Sequence, residues 1–406
     1  MNFRKTFQHS NAPSPVVFSN VWYARQRMNK IKVCFLLIFI TGITLFSVEP
    51  VKVVHNTLTD IDYVNGKIRL TLLKTWGGDE VEDENQFFKY PMDIVIGKDG
   101  LVYICDFDNH RIQVFDEKGI YKRTIGRRGQ GPADLMNPNR LAMDIHGNLI
   151  VADQANYRIQ ILTPYGKYIT DFKVLDGWIM GLQASSKKDE IIIRIPKKTF
   201  SSQKLFFIYD QNGKPVREIG QYVHKAKALA QSESVLFTID RFDFIYTVFS
   251  ATPYLLKYSY NGELLMFMTY EMPYETPIAS WDYFKRIINI KGKAIERASY
   301  SLSVDDPGRI FIVSQKRRKT KKESNSSGLN TVKRRSGGEV LIKRPVVATE
   351  KTDLLRLLVF NSNGKIIAAI DLDVYCDHIY THGNRLFIID SFKAMKIYEY
   401  KISFRK

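Results

Sequence analysis

The sequence predicts an all-β protein: a six-bladed β-propeller of four-stranded antiparallel blades. An N-terminal strand completes the last blade, and one apolar segment precedes the ring. Three observations carry this. First, the stretch from Pro91, PMDIVIGKDGLVYICDFDNHRIQVFDEKGIY, returns without a gap 47 positions later, from Pro138, as PNRLAMDIHGNLIVADQANYRIQILTPYGKY. Self-similarity at such a period marks a repeat architecture. Second, each copy holds short β-rich runs separated by turn formers, and four such runs in about 45 residues make one blade. Third, the chain carries an orphan strand before the first repeat and only three strands in the last. Three plus one closes a ring and removes both sheet edges.

Within each repeat the parts have separate physical reasons. An apolar run (Ile94–Ile96, Leu141–Met143) ends in Asp-Gly or His-Gly, both turn formers. The second run, LVYIC or LIVA, ends at Asp106 or Asp153. An Asn follows three positions later and an Arg two beyond it, before the third run, RIQVF or RIQIL. The Asp can accept turn amides, and Asn tolerates a left-handed backbone. Arg111 and Arg158 are expected to close the turn on Asp106 and Asp153 as bidentate pairs.

The chain in order supports the count. Residues 1–27 are polar, basic and without periodicity, and are expected to be disordered or a mis-assigned start. MNKIK, from Met28, then supplies a positive flank to the uncharged run Val33–Val48. Its sixteen residues suit a signal peptide and are short for a full span, so 28–48 is expected to export the protein, cleaved or kept as an anchor. Residues 49–65 read as a spacer. The orphan strand begins at Gly66, and the propeller is expected over 66–402. Blade three falls near 175–220 and blade four near 234–269. Blade five has GRIFIVSQ and LLRLLVFNSNGKIIAAI, and blade six ends in NRLFIID and MKIYEYKI.

The lead-in TWGGDEVEDENQFFKYP and the connector GRRGQGPADLMNP, residues 126–138, resemble those of the NHL-repeat propellers, in particular bacterial six-bladed exported members. The resemblance is close in blades one and two and covers the later ones in outline. It implies the fold. The functions it implies are diverse: ligand-binding scaffolds, RNA-binding modules, and a few lyases or lactonases.

Two insertions interrupt the blades. In 270–298, Trp281, Phe284, Ile287 and Ile288 stand at helical spacing, which predicts a partly helical segment over a blade edge. Residues 316–344 hold eleven Lys or Arg against two Glu, half of the chain's net charge of +18, and read as a disordered loop. An acidic run at 79–84 reads as solvated surface.

Catalytic motifs are missing: no phosphate-cradling glycine loop, HExxH, GxSxG or EF-hand loop occurs. No catalytic residue, metal ligand or cofactor is indicated. Cys105 and Cys376 would lie on neighbouring blades, as two buried thiols rather than a disulfide. His110, His146 and His382 fall in turns and read as surface residues, whereas His378 falls on an inner strand. Asp93, Arg140 and Cys376 align at one inner-strand position, so Asp93, Arg140 and His378 are candidates for the channel mouth.

The predicted function is a non-catalytic extracytoplasmic binding module, periplasmic or membrane-anchored. It presents Arg127, Arg128, Gln130, Arg140, Lys316, Arg317, Arg318 and Lys319 on one loop face to an anionic glycan, lipid surface or acidic protein. The N-terminal segment allows membrane attachment, and the export signal disfavours nucleic acid. A metal-assisted lyase or lactonase at the channel mouth is the alternative.

Overall fold

Six four-stranded antiparallel blades lie around a central channel in the structure, a computed structural model. It describes residues 50–78, 83–174, 177–195, 204–220, 234–282, 287–291, 297–320 and 351–405. The segments expected to be a disordered start (1–27) and a targeting sequence (28–48) lie outside the described residues, as does 321–344 of the basic insertion. Among the described residues no helix is long and apolar enough to cross a membrane.

Blade one comprises Pro91–Ile96, Val102–Asp106, Arg111–Phe115 and Tyr121–Ile125. Blade two comprises Pro138–Met143, Leu149–Asp153, Arg158–Leu162 and Tyr168–Lys173. Blades three, four and five begin at Gly181, Val235 and Ser299. In blade six, His378–His382, Arg385–Asp390 and Lys396–Phe404 are joined by Ile68–Gly77, which pairs antiparallel with the last of them.

The core consists of the seams between blades. Successive strand residues point to opposite faces, so each central strand feeds two seams. Val102 and Ile104 pack toward blade six with Trp76, Phe387 and Ile389. Their neighbours Tyr103 and Cys105 pack toward blade two with Leu141, Leu149 and Val151. The other four seams are built alike, from blades two and three through to five and six. A fully buried Leu, Ile or Phe side chain contributes about 1.5–3 kcal/mol. The aromatic content of 13% fills these wedges with large groups such as Phe206, Phe249 and Phe360.

The turns between second and third strands bind their acids and arginines by single contacts rather than forks. Arg111 Nε donates to Asp106 Oδ2 at 2.8 Å, and Arg158 Nε to Asp153 Oδ2 at 2.8 Å. The second carboxylate oxygen is already taken by a connector amide, from Lys89 or Met136. The remaining guanidinium nitrogens therefore reach backbone carbonyls of the connector, Phe87 in one blade and Gly131 in the other. The left-handed residue is not the Asn but its successor, His110 or Tyr157 (φ 56 and 55). Asn109 and Asn156 donate their amides to the Asp instead.

Two expectations are corrected. The spacer 49–65 is structured from Lys52 onward. Lys52–Asn56 adds parallel to the outer strand of blade four, and helix Leu58–Val64 packs Ile61 and Val64 against blades four and five. Thr57 and Asp60 form a capping box that starts the helix. Asn56 is buried and joins the two blades: its Nδ2 donates to Thr269 O and Gly364 O, and its Oδ1 accepts from Ile366 N. The segment 270–298 is not helical among the described residues, because Ile278–Asp282 pairs with Ile287–Lys291 as a hairpin. Its β-branched isoleucines favour strand, and four apolar residues in a short window fit either period.

Candidate functional site: the channel and its connector face

A cavity of about 330 Å³ runs down the axis and is lined by the inner strands of all six blades. Its mouths differ because the turns differ. The 1–2 and 3–4 turns open on one face, where Gln211 of a 3–4 turn reaches Asp144 of a 1–2 turn. Acids there cap their own turns. Asp144 accepts the amides of His146 and Asn148, and Asp240 those of Phe242 and Phe244. Asp305 accepts the Arg309 amide and its guanidinium. The 2–3 turns and the blade connectors share the opposite face, where Asn156 Nδ2 donates to Gly129 O and the Asn137 amide to His110 Nδ1.

At the connector-face end, the inner strands place Asp93, Arg140 and His378 opposite the residues that precede Asp106, Asp153 and Asp390. Gly181, Leu236 and Ser301 hold the same position in blades three to five. This corrects the sequence alignment, since His378 occupies the blade-six position and Cys376 lies two residues earlier. The error arose because blade six uses a two-residue inner turn, between His382 and Arg385.

The three channel-mouth candidates converge. His378 Nε2 lies 3.1 Å from Asp93 Oδ1, and Asp93 Oδ2 accepts the Leu141 amide at 3.0 Å. Burial is the largest influence on the Asp93 carboxyl and pushes it up. His378, Arg140 and the Leu141 amide together outweigh burial and hold it below the usual carboxylate value. Arg140 donates to Met180 O at 3.2 Å and Asn139 O at 2.6 Å. Ser301 Oγ stands 3.4 Å from His378 Nδ1, which lines up serine, imidazole and carboxylate. The order matches a nucleophilic triad. Ser301 is buried, however, and its oxygen accepts the Ile379 amide at 2.8 Å. The array thus orients His378 rather than presenting a nucleophile.

The loop-face candidates divide. Arg127 is exposed and paired with Asp134 at 2.8 Å. Arg128 and Gln130 are exposed, and Arg128 forms no ion pair among the described residues. Lys316 pairs with Asp371 and Arg317 with Asp353, while Arg318 lies 3.7 Å from Glu275. Lys319 stands over the Tyr300 ring. Acids on blade five and the hairpin lead-in therefore compensate the start of the basic insertion. His110 is half-buried rather than a free surface group; burial first, then Arg128, lowers its pKa. His146 is exposed and pairs with Asp189 at 2.8 Å. Cys105 and Cys376 are free and buried, and burial pushes both thiols well up. Among the described residues no group of three or more His, Cys, Asp or Glu is placed to hold a metal ion.

Sequence reasoning missed the aromatics of this face. The Tyr90 ring meets Phe392 at 5.6 Å, and Phe107 meets Trp178 at 6.2 Å. Phe392 is 58% and Trp178 47% exposed. Tyr90 and Phe107 are joined through their backbones, so the four rings form an arc from blade six toward blade three. The available signal was large aromatics at turn and connector positions, where polar residues are usual.

Comparison with known proteins bears on the whole ring. The profile of the family described as "6-bladed beta-propeller" matches residues 82–302. Protein brain tumor of Drosophila melanogaster is 28% identical over 144 residues, which is 35% of this chain and 13% of that protein's length. A putative exported protein of Bacteroides fragilis superposes with a TM-score of 0.54 at 9% identity, covering 87% of this chain and 100% of that one. A Bacteroides vulgatus member of the duf4221 family gives 0.54 at 12% identity, covering 83% and 99%.

Proposed function

Because the chain belongs to the six-bladed β-propeller family, we propose that it is a non-catalytic binding module, with blades one and two of NHL type. Its connector face takes an anionic ligand, foremost an anionic glycan. One observation carries the reading: exposed Arg128 and half-buried Arg140 share that face with the arc Tyr90, Phe107, Trp178 and Phe392. Cations attract carboxylate or sulfate groups, and flat aromatic faces accept the apolar faces of sugar rings. The setting outside the cytoplasm rests on the apolar run Val33–Val48. The basic insertion adds a long-range field whose first members are locally compensated.

Retention on a heparin matrix tests this. Wild type should elute at distinctly higher salt than the Arg128→Glu/Arg140→Glu variant, and deletion of 321–344 should lower the elution point further. Screening shortens to about 8 Å at physiological ionic strength, so binding should fall steeply with salt. Equal elution of all three proteins would end the reading. Preference for anionic vesicles over heparin would redirect it to a lipid surface, and preference for an acidic peptide to a protein partner. The Asp93–His378 contact favours a second reading, a lyase or lactonase at the mouth, which requires turnover that His378→Ala abolishes.

A further inference from the structure

Asp106, Asp153 and Asp390 hold one position in blades one, two and six, facing Arg111, Arg158 and Lys396 across the second and third strands. The first two acids are each bolted by a guanidinium. Blade six departs twice. Lysine replaces arginine, and the turn is one residue longer, its left-handed residue being Met395. Asp390 is fully buried; its Oδ1 accepts the Lys393 amide at 2.8 Å, while its Oδ2 has no hydrogen-bond partner among the described residues. An unsatisfied buried carboxylate oxygen is costly, so it calls for a specific explanation.

A second carboxyl group supplies one. Asp377 caps the same turn from the other side: its Oδ2 accepts the Ser391 amide at 2.9 Å, and its own amide donates to Ile389 O at 2.8 Å. Two carboxyls at one site cannot both ionise cheaply. Burial first, then Asp377, pushes Asp390 up to about 7, and burial pushes Asp377 up as well. The surrounding charges do not relieve this. Arg297 and Lys393 act on Asp377 from a distance, but Arg297 donates to Ser299 O and Tyr300 O, and Lys393 lies over the Tyr375 ring. The Cys376 thiol is held protonated by burial, and His378 is engaged by Asp93.

The turn matters because of what it holds. Ser391 Oγ donates to Pro91 O at 2.5 Å across the closing seam, and Phe392 carries the blade-six end of the aromatic arc. We infer that the turn Asp390–Lys396 is a proton-dependent latch on the connector face, seated while Asp377 and Asp390 share a proton and released when both are charged. A group whose folded pKa is raised holds its proton in the folded state, so the stabilisation is complete below the unfolded value near 4 and lost as pH rises through about 7. The effect on ligand rests on the binding-face reading above; the latch itself does not.

Hydrogen exchange of the 391–395 amides in the full chain, corrected for intrinsic rates, tests the latch between about pH 5.5 and about pH 8.5. Wild-type protection should fall about tenfold per pH unit up to about pH 7 and level off above it. Asp390→Asn keeps a donor in place of the proton and should flatten the profile. Asp377→Asn removes the partner charge but not the burial of Asp390, so it should move the fall to lower pH, and it serves if the first variant folds poorly. A flat wild-type profile, or variants that keep the wild-type profile, would overturn the latch. Heparin retention at fixed salt should then weaken between about pH 5.5 and about pH 7 more in wild type than in Asp390→Asn. Equal pH dependence of retention, with the exchange switch intact, would overturn only the coupling to the binding face.

Discussion

Replacing Arg158 with alanine should cost about 3 kcal/mol of unfolding free energy. Arg158 is the best-buried bolt in the ring, its side chain 6% exposed over an Asp153 that is 0% exposed. The truncation removes the 2.8 Å contact to Asp153 and donors to the carbonyls of Gly131 and Asp134 at 2.8 and 3.0 Å. Hydrogen bonds to a charged group contribute about 1.5–3 kcal/mol and neutral ones about 1. Asp153 keeps three donors, from Met136, Asn156 and Gln160, which limits the loss. Arg111 makes the same contacts, but its side chain is 20% exposed, so water can replace part of it and Arg111→Ala should cost about 2 kcal/mol. Urea unfolding measures both, read as a shift in midpoint at constant slope. The Asp153→Asn/Arg158→Ala pair should recover part of the loss, since the uncompensated charge is gone. Burial outweighs Arg111 and the other donors in setting Asp106, whose carboxyl is raised despite its partners. The bolt therefore serves mainly to avoid a penalty. Arg158→Ala within about 0.5 kcal/mol of wild type, the range of an ordinary surface change, would refute the reasoning.

Two further predictions concern the two N-terminal strands, Lys52–Asn56 and Ile68–Gly77. Asn56→Ala leaves the Ile366 amide and two carbonyls without their partner, and should cost about 2 kcal/mol in the same urea assay, whereas a solvated spacer would show no change. Truncation to begin at Gly77 removes the closing strand of blade six and exposes its edge, and should give aggregation or loss of cooperative melting by light scattering and calorimetry. A melt like that of the full chain would show that the three-stranded blade closes the ring unaided.

The amino-acid sequence alone determined blades one and two most fully, because what makes each of them is local. Alternation of period two, a turn former every few residues, and an Asp with its Arg five positions on all act within one repeat of about 45 residues. The Asp106–Arg111 and Asp153–Arg158 turns were legible for that reason, although their single-contact geometry depended on connector amides from the preceding loop. The tertiary structure decided what lies between blades. A parallel strand laid on an outer edge, as Lys52–Asn56 is, has no hairpin to announce it, and helix Leu58–Val64 is too short to stand out by period. The approach of His378 to Asp93 depends on joining the last blade to the first. The aromatic arc depends on loops from different blades meeting over one face, as Phe392 meets Tyr90 and Phe107 meets Trp178. Ring closure brings such groups together from distant parts of the chain, and no pattern of short period records that.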